Sequence, residues 1–195
     1  MDGNISKALW LGVSILLFIA VVTVGLSVFG TMRDTSAAAN ENINSIAQSL
    51  AEEDFRAFDG KEVKGDQVLS AINNLSGRSG EVIVLVATLG SNSGQPVNLD
   101  PKNKTGLNLN SYTQYVSETS DGASLSADDN GCVILSSSSD QLLNTVSKTA
   151  RDAARRDAEN PNLTGKYINP AGRFRSYLVY DENQVIRGII CAQAE

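Results

Sequence analysis

Residues Ala8 to Met32 form one uninterrupted apolar run, ALWLGVSILLFIAVVTVGLSVFGTM, without a charged side chain. Backbone N–H and C=O groups find no partner in hydrocarbon, so such a run is stable there only as a helix that satisfies them internally. At about 1.5 Å per residue, a helix of this length exceeds the roughly 30 Å hydrocarbon core of a bilayer. The chain beyond Met32 is polar and acidic. The sequence therefore reads as three parts: a transmembrane anchor over 1–32, an amphipathic helical extension over 33–58, and an extracytoplasmic α+β globular domain over 59–195.

A cleaved secretory signal has a basic leader, an apolar core of roughly 7–15 residues and small residues just after it. Here Asp2 offsets Lys7, the apolar stretch is too long, and Ala37-Ala38-Ala39 lies beyond Arg33 and Asp34. A retained anchor is expected. Its flanks are nearly balanced under the positive-inside rule, with Lys7 and the terminal amine before the span and Arg33 after it. The two cysteines, Cys132 and Cys191, lie in the β-like stretches GCVIL and VIRGIICAQ. Such a pair suits one disulfide formed outside the cytoplasm. Closing a loop of about 60 residues adds roughly 3–4 kcal/mol. The competing reading is two buried free thiols behaving as small apolar side chains. With the disulfide favoured, we expect a single-pass cell-membrane protein, N-terminus cytoplasmic and C-terminal domain extracytoplasmic, at the cell surface if assembled.

The formal net charge of −6 belongs to the part after the span, because Asp2 and Lys7 cancel. An acidic surface argues against nucleic acid as a partner. With no histidine in the chain, a His-based triad, a His zinc ligand and a His pH switch are excluded.

The stretch TSAAANENINSIAQSLAEEDFRAF has helix formers, no Gly or Pro, and Ile43, Ile46, Ala47, Leu50, Ala51 and Phe55 along one face. One helix is thus predicted from about Lys7 to Arg56, stopped by Asp59-Gly60. A second covers Gly65 to Leu75, where Val68, Leu69, Ile72 and Leu75 align. Glu81 to Leu89 reads as a buried strand and Ser111 to Ser117 as a half-buried one. Gly90–Gly106 and Asp121–Gly131 read as loops, and Cys132 to Leu135 as a short strand. Asp140 to Ala158 is ambiguous, but Leu142, Leu143, Val146, Ala150, Ala153 and Ala154 suit a helix with Ser139 or Asp140 as its cap. Phe174–Tyr180 and Val185–Ala192 form a hairpin about Asp181-Glu182-Asn183-Gln184.

Chemistry-bearing motifs are few. Ser136 to Ser139 offer hydroxyls without an adjacent base, and Lys148 lacks the Ser-x-x-Lys spacing. Asp128-Asp129-Asn130-Gly131 has the flavour of a calcium loop, yet the first and twelfth EF-hand positions fall on Ser126 and Ser137. A tight turn before a strand explains the same residues. Arg151, Arg155 and Arg156 alternate with Asp152 and Asp157, as on a solvated helix face. No catalytic, cofactor or metal residues are expected.

A helix of roughly 50 residues, apolar in its first half and amphipathic in its second, followed by a small antiparallel β-domain, resembles the layout of type IV pilins and pseudopilins. The closing stretch YINPAGRFRSYLVYDENQVIRGIICAQ (Tyr167–Gln193) is similar to that of single-pass proteins from bacterial Tad-type, type IVb-pilus-like loci. The resemblance implies a helix packed on a small antiparallel sheet, and a structural subunit rather than an enzyme. Its partners would be the lipid bilayer before assembly, copies of itself, and other pilus or secretion components. Gly12, Ala20, Gly25 and Gly30 would let neighbouring spans approach closely, with Ile43, Ile46, Leu50 and Phe55 continuing the assembly face. The leader departs from the pilin pattern: Gly3 follows only Met1-Asp2, and the fifth residue beyond it is Ala8, not Glu. The other reading is a monomeric membrane-tethered binding or accessory module presenting its two long loops.

Overall fold

The computed structural model describes residues 2–139 and 141–194, and within the first helix it describes side chains chiefly over 9–32 and 55–56. The chain divides into two compact units, residues 1–51 and 52–195.

Helix α1 runs over Asp2–Arg56, 55 residues without a break. Gly60, with φ +62, turns the chain after it. The expected single helix through both halves is therefore present. Within it, Leu9–Met32 has a mean hydropathy of 2.6 and none of it is buried.

In the globular unit, strand β1 (Lys61–Lys64) leads directly into helix α2 (Gly65–Leu75). α2 is amphipathic as predicted, burying Val68, Ala71, Ile72 and Leu75. Its start is fixed from both sides. The Gln67 amide oxygen accepts from the Lys64 N–H at 3.0 Å, and Gly65 and Asp66 donate to the carbonyls of Gly172 and Pro170. A side chain at Gly65 would collide with the Asn169 carbonyl.

The remaining strands are β2 (Ile83–Ala87), β3 (Thr113–Tyr115), β4 (Ser117–Thr119), β5 (Ser124–Ala127), β6 (Val133–Ser136), β7 (Leu143–Thr145), β8 (Arg173–Tyr180) and β9 (Ile186–Gln193), with helix α3 over Lys148–Glu159. Among the described residues, seven strands make one sheet in the order β3-β2-β9-β8-β6-β5, with β1 also on β8, while β4 and β7 pair separately. The sheet is mixed, which corrects the antiparallel expectation. β2 runs parallel to β9 (Ile83↔Gly188 to Ala87↔Ala192), and β6 runs parallel to β8. The reason is burial. Both β2 and the inner part of β9 are continuous apolar runs, the pattern of parallel strands covered on both faces.

On one face Ile83, Leu85, Tyr177, Val179, Ile190 and Val133 pack with Leu99, Tyr112 and Leu143. The hairpin β8–β9 is as expected, closed by the turn at Asp181–Val185. Elsewhere the fold departs from the sequence reading. The predicted strand at 111–117 splits at Val116, whose φ of 73 sends the chain from β3 into β4. The predicted helix at 140–158 begins only at Lys148. Leu143 is drawn into β7 opposite Thr119, and the cap is Ser147, whose hydroxyl accepts from the Ala150 N–H at 3.3 Å.

Candidate functional site

The apolar stretch of α1 is the most distinctive surface of the molecule. From Leu9 to Met32 its large apolar side chains all point to the outside, between 41% (Val22) and 78% (Trp10) exposed. Outside this stretch, Leu163 is the one exposed large apolar side chain among the described residues. Three of the four hydroxyls in this stretch are returned to the helix: Ser14 donates to the Trp10 carbonyl at 2.8 Å, Thr23 to Ile19 at 2.8 Å, and Thr31 to Ser27 at 3.0 Å. Such back-bonding satisfies these three hydroxyls within the helix.

Gly12, Gly25 and Gly30 have nothing within 4 Å of where a side chain would begin, and Ala20 is exposed. Each is free to meet a neighbouring helix. The side chains of Ile43, Ile46 and Leu50 lie outside the described residues. Phe55 is 2% exposed, beside Phe58, Ala71 and Leu75 in the globular unit.

Cys132 and Cys191 are free thiols, which overturns the expected disulfide. The sheet order explains it. Cys191 lies on β9, while Cys132 precedes β6, with β8 between them. Two strand spacings of about 4.8 Å each separate the backbones before any offset along the strands, whereas a disulfide requires Cα atoms within about 7 Å. The competing reading holds for Cys191, which is fully buried; burial pushes its thiol up to about 12. Cys132 is half-buried and is also raised, first by burial and then by the Asp128 carboxylate.

Asp128 forms a turn. Its carboxylate accepts from the backbone N–H of Cys132 at 2.7 Å and of Asn130 at 3.0 Å, and the Cys132 bond chiefly holds its pKa below the usual carboxylate range. Asp129 is bound by Lys104 at 3.1 Å. Among the described residues no group of three or more metal-ligating side chains converges. The serine run is a chain of hydroxyls: Ser120 meets Ser137 at 2.6 Å, Ser137 meets Ser139 at 3.0 Å, and Ser139 donates to the Gln141 carbonyl. On α3, Arg155 donates to the Asn73 side chain at 3.3 Å, Arg151 to the Val146 carbonyl, and Asp157 pairs with Lys166 at 2.9 Å.

A polar cleft of about 360 Å³ was not anticipated from the sequence. The turn residues Asp181, Glu182 and Asn183 form one wall with Arg187, and Ser136, Ser137, Gln141 and Leu142 the other. Asp181 is saturated: one oxygen accepts from the backbone of Asn183 and Val185, and the other from Arg187 at 2.9 Å. The Asp-x-Asn turn gave the only hint of it, since the facing residues Ser136, Ser137, Gln141 and Leu142 come from a distant part of the sequence.

Comparison with models of known families, with curated proteins and with solved structures yields no match to this chain.

Proposed function

We propose that this chain is a pilin-like structural subunit. The Leu9–Met32 helix holds it in the bilayer and then packs against copies of itself in a surface filament or an envelope-spanning secretion or pilus apparatus. The observation that carries this reading is the concentration of exposed apolar surface on one helix, in a chain whose globular unit exposes almost none. Exposed apolar surface of that extent requires lipid or other helices around it. Helix-on-helix contact in place of lipid is served by the small residues Gly12, Ala20, Gly25 and Gly30. No catalytic role is assigned, because the serine hydroxyls bond one another and backbone carbonyls.

In this reading the N-terminus is cytoplasmic and the globular unit lies outside, as surface display requires. Electron microscopy of material sheared from expressing cells, with the chain and its N-terminus identified by mass spectrometry, tests the reading. Filaments containing the chain are expected. Protein confined to the membrane fraction, with no filament, overturns it.

A second reading, a monomeric tethered binding or accessory module, is favoured by the polar cleft beside the hairpin turn. It predicts full membrane retention with the cleft accessible.

A further inference from the structure

The polar cleft exists because a strand stops early. β6 pairs with β8 only at Val133↔Val179 and Ile134↔Tyr180, where β8 ends, while β5 stays paired with β6 as far as Ser136. The bond from the Asp128 N–H to the Cys132 carbonyl sets the phase of the β5–β6 ladder. In that phase Ser136 exchanges its backbone bonds with β5, and Leu135 turns its carbonyl to the opposite side, past the last β8 pair. Both walls of the resulting gap are held before anything enters it. Asp181, 7% exposed, fixes Arg187 with one carboxylate oxygen and the turn backbone with the other. Opposite, the Ser137 hydroxyl is held by Ser120 at 2.6 Å and by Ser139 at 3.0 Å. A site ordered in advance loses little on binding to the freezing of its own side chains.

The groups on offer are of both kinds. Bonds to Asp181 use two of the five N–H donors of Arg187, leaving as many as three. The Gln141 amide nitrogen donates to the Leu143 carbonyl at 2.9 Å, so its oxygen is the acceptor it can present. Asn183 brings an amide that does both, from an exposed position on the turn. We propose that this cleft binds a neutral saccharide of one or two sugar rings. A sugar hydroxyl both donates and accepts, which suits Arg187 and Asn183 donors set beside Gln141 and Leu135 acceptors. The C–H face of a ring has half-buried Leu142 to lie against. An anion is disfavoured by Glu182, the carboxylate left over once Asp181 and Arg187 offset each other. An apolar ligand would leave these polar groups desolvated and unpaired. The volume of about 360 Å³ falls within the roughly 300–1,000 Å³ of small-molecule sites. The inference does not depend on whether copies of the chain assemble.

The test uses the full chain in phosphatidylcholine nanodiscs, because glycoside detergents would themselves present sugar headgroups. Maltose, cellobiose and chitobiose are titrated in, and the side-chain amide signals of Gln141 and Asn183 are followed by NMR. At least one of the three sugars is expected to shift both signals, with a Kd of about 1 mM. Q141A/N183A should weaken that affinity at least about fivefold, read by saturation transfer to the sugar, with wild-type circular dichroism. N162A, at an exposed position outside the cleft, should leave it unchanged. No shift from any of the three sugars at about twentyfold that concentration overturns the inference and leaves the subunit reading untouched. Sugar binding that survives Q141A/N183A at full affinity lies elsewhere on the molecule and overturns it too. Shifts caused by glucose phosphate alone, or by the peptide Gly-Ser-Asn-Gly alone, overturn it in favour of an anion site or of a strand added beside β6.

Discussion

Ser117 is 1% exposed; its hydroxyl accepts from the Gly80 N–H at 2.8 Å and donates to the Val82 carbonyl at 2.6 Å. Ser117→Ala strands both backbone groups, and we expect a loss of about 1–3 kcal/mol in urea unfolding of the detergent-held protein. Ser176 does similar work, donating to the carbonyls of Phe58 and Lys61 and so tying the end of α1 to β8. The thiols give a second check. In the native protein Cys191 should resist a thiol reagent at pH 8, and Cys132 should react more slowly than free cysteine. Both should react at full speed in denaturant, and gel mobility should not change with reductant. A single fast-reacting native thiol, or a reductant-dependent shift, contradicts the burial described. Asp128 gives a third. Its pKa is depressed in the folded state, so its contribution is present at neutral pH and is lost as pH falls through that lowered value. Titration by NMR should find Asp128 below the ordinary aspartate range, and D128N should remove that part of the acid sensitivity.

Among the elements, those governed by local pattern were legible in advance. α2, the β2 strand, the final hairpin and the unbroken course of α1 follow from periodicity, turn chemistry and helix propensity. Those governed by distant partners were not. β7 falls in a stretch where Leu143, Val146 and Ala150 follow helical spacing, but Leu143 gains more from burial opposite β4 than from a further helical turn. β1 reads as Lys-Glu-Val-Lys and is a strand only because Val63 pairs with Phe174. The parallel neighbours β2 and β9 are about a hundred residues apart, and no local signal marks their pairing. Gly188 is where that pairing is tightest, since a side chain there would overlap the Ile83 backbone. Gly188→Ala should therefore cost about 3 kcal/mol or more. Amide exchange should show the loss concentrated in β2 and β9. Uniform, wild-type protection would refute the role assigned to this glycine.

At the scale of the whole molecule, the long apolar helix was plain in the sequence because its length and composition lie in one continuous segment. The polar cleft was not, because its walls meet only after the sheet has formed. For the span, Gly25→Asp or Ala20→Asp should abolish filaments or detergent-stable oligomers while leaving the circular dichroism of the globular unit intact. A charge at the helix centre is poorly tolerated between packed spans. Normal assembly of either variant would count heavily against the subunit reading. The position of β9 has one more consequence. It is synthesised after β2 and β8, both of which pair with it. A nascent chain that has not passed residue 193 lacks the middle of its sheet and has no complete core to close around. The Leu9–Met32 helix, made before any of the strands, is therefore complete while the sheet behind it is still open. Closure of the globular unit is thereby postponed until residue 193 has been made.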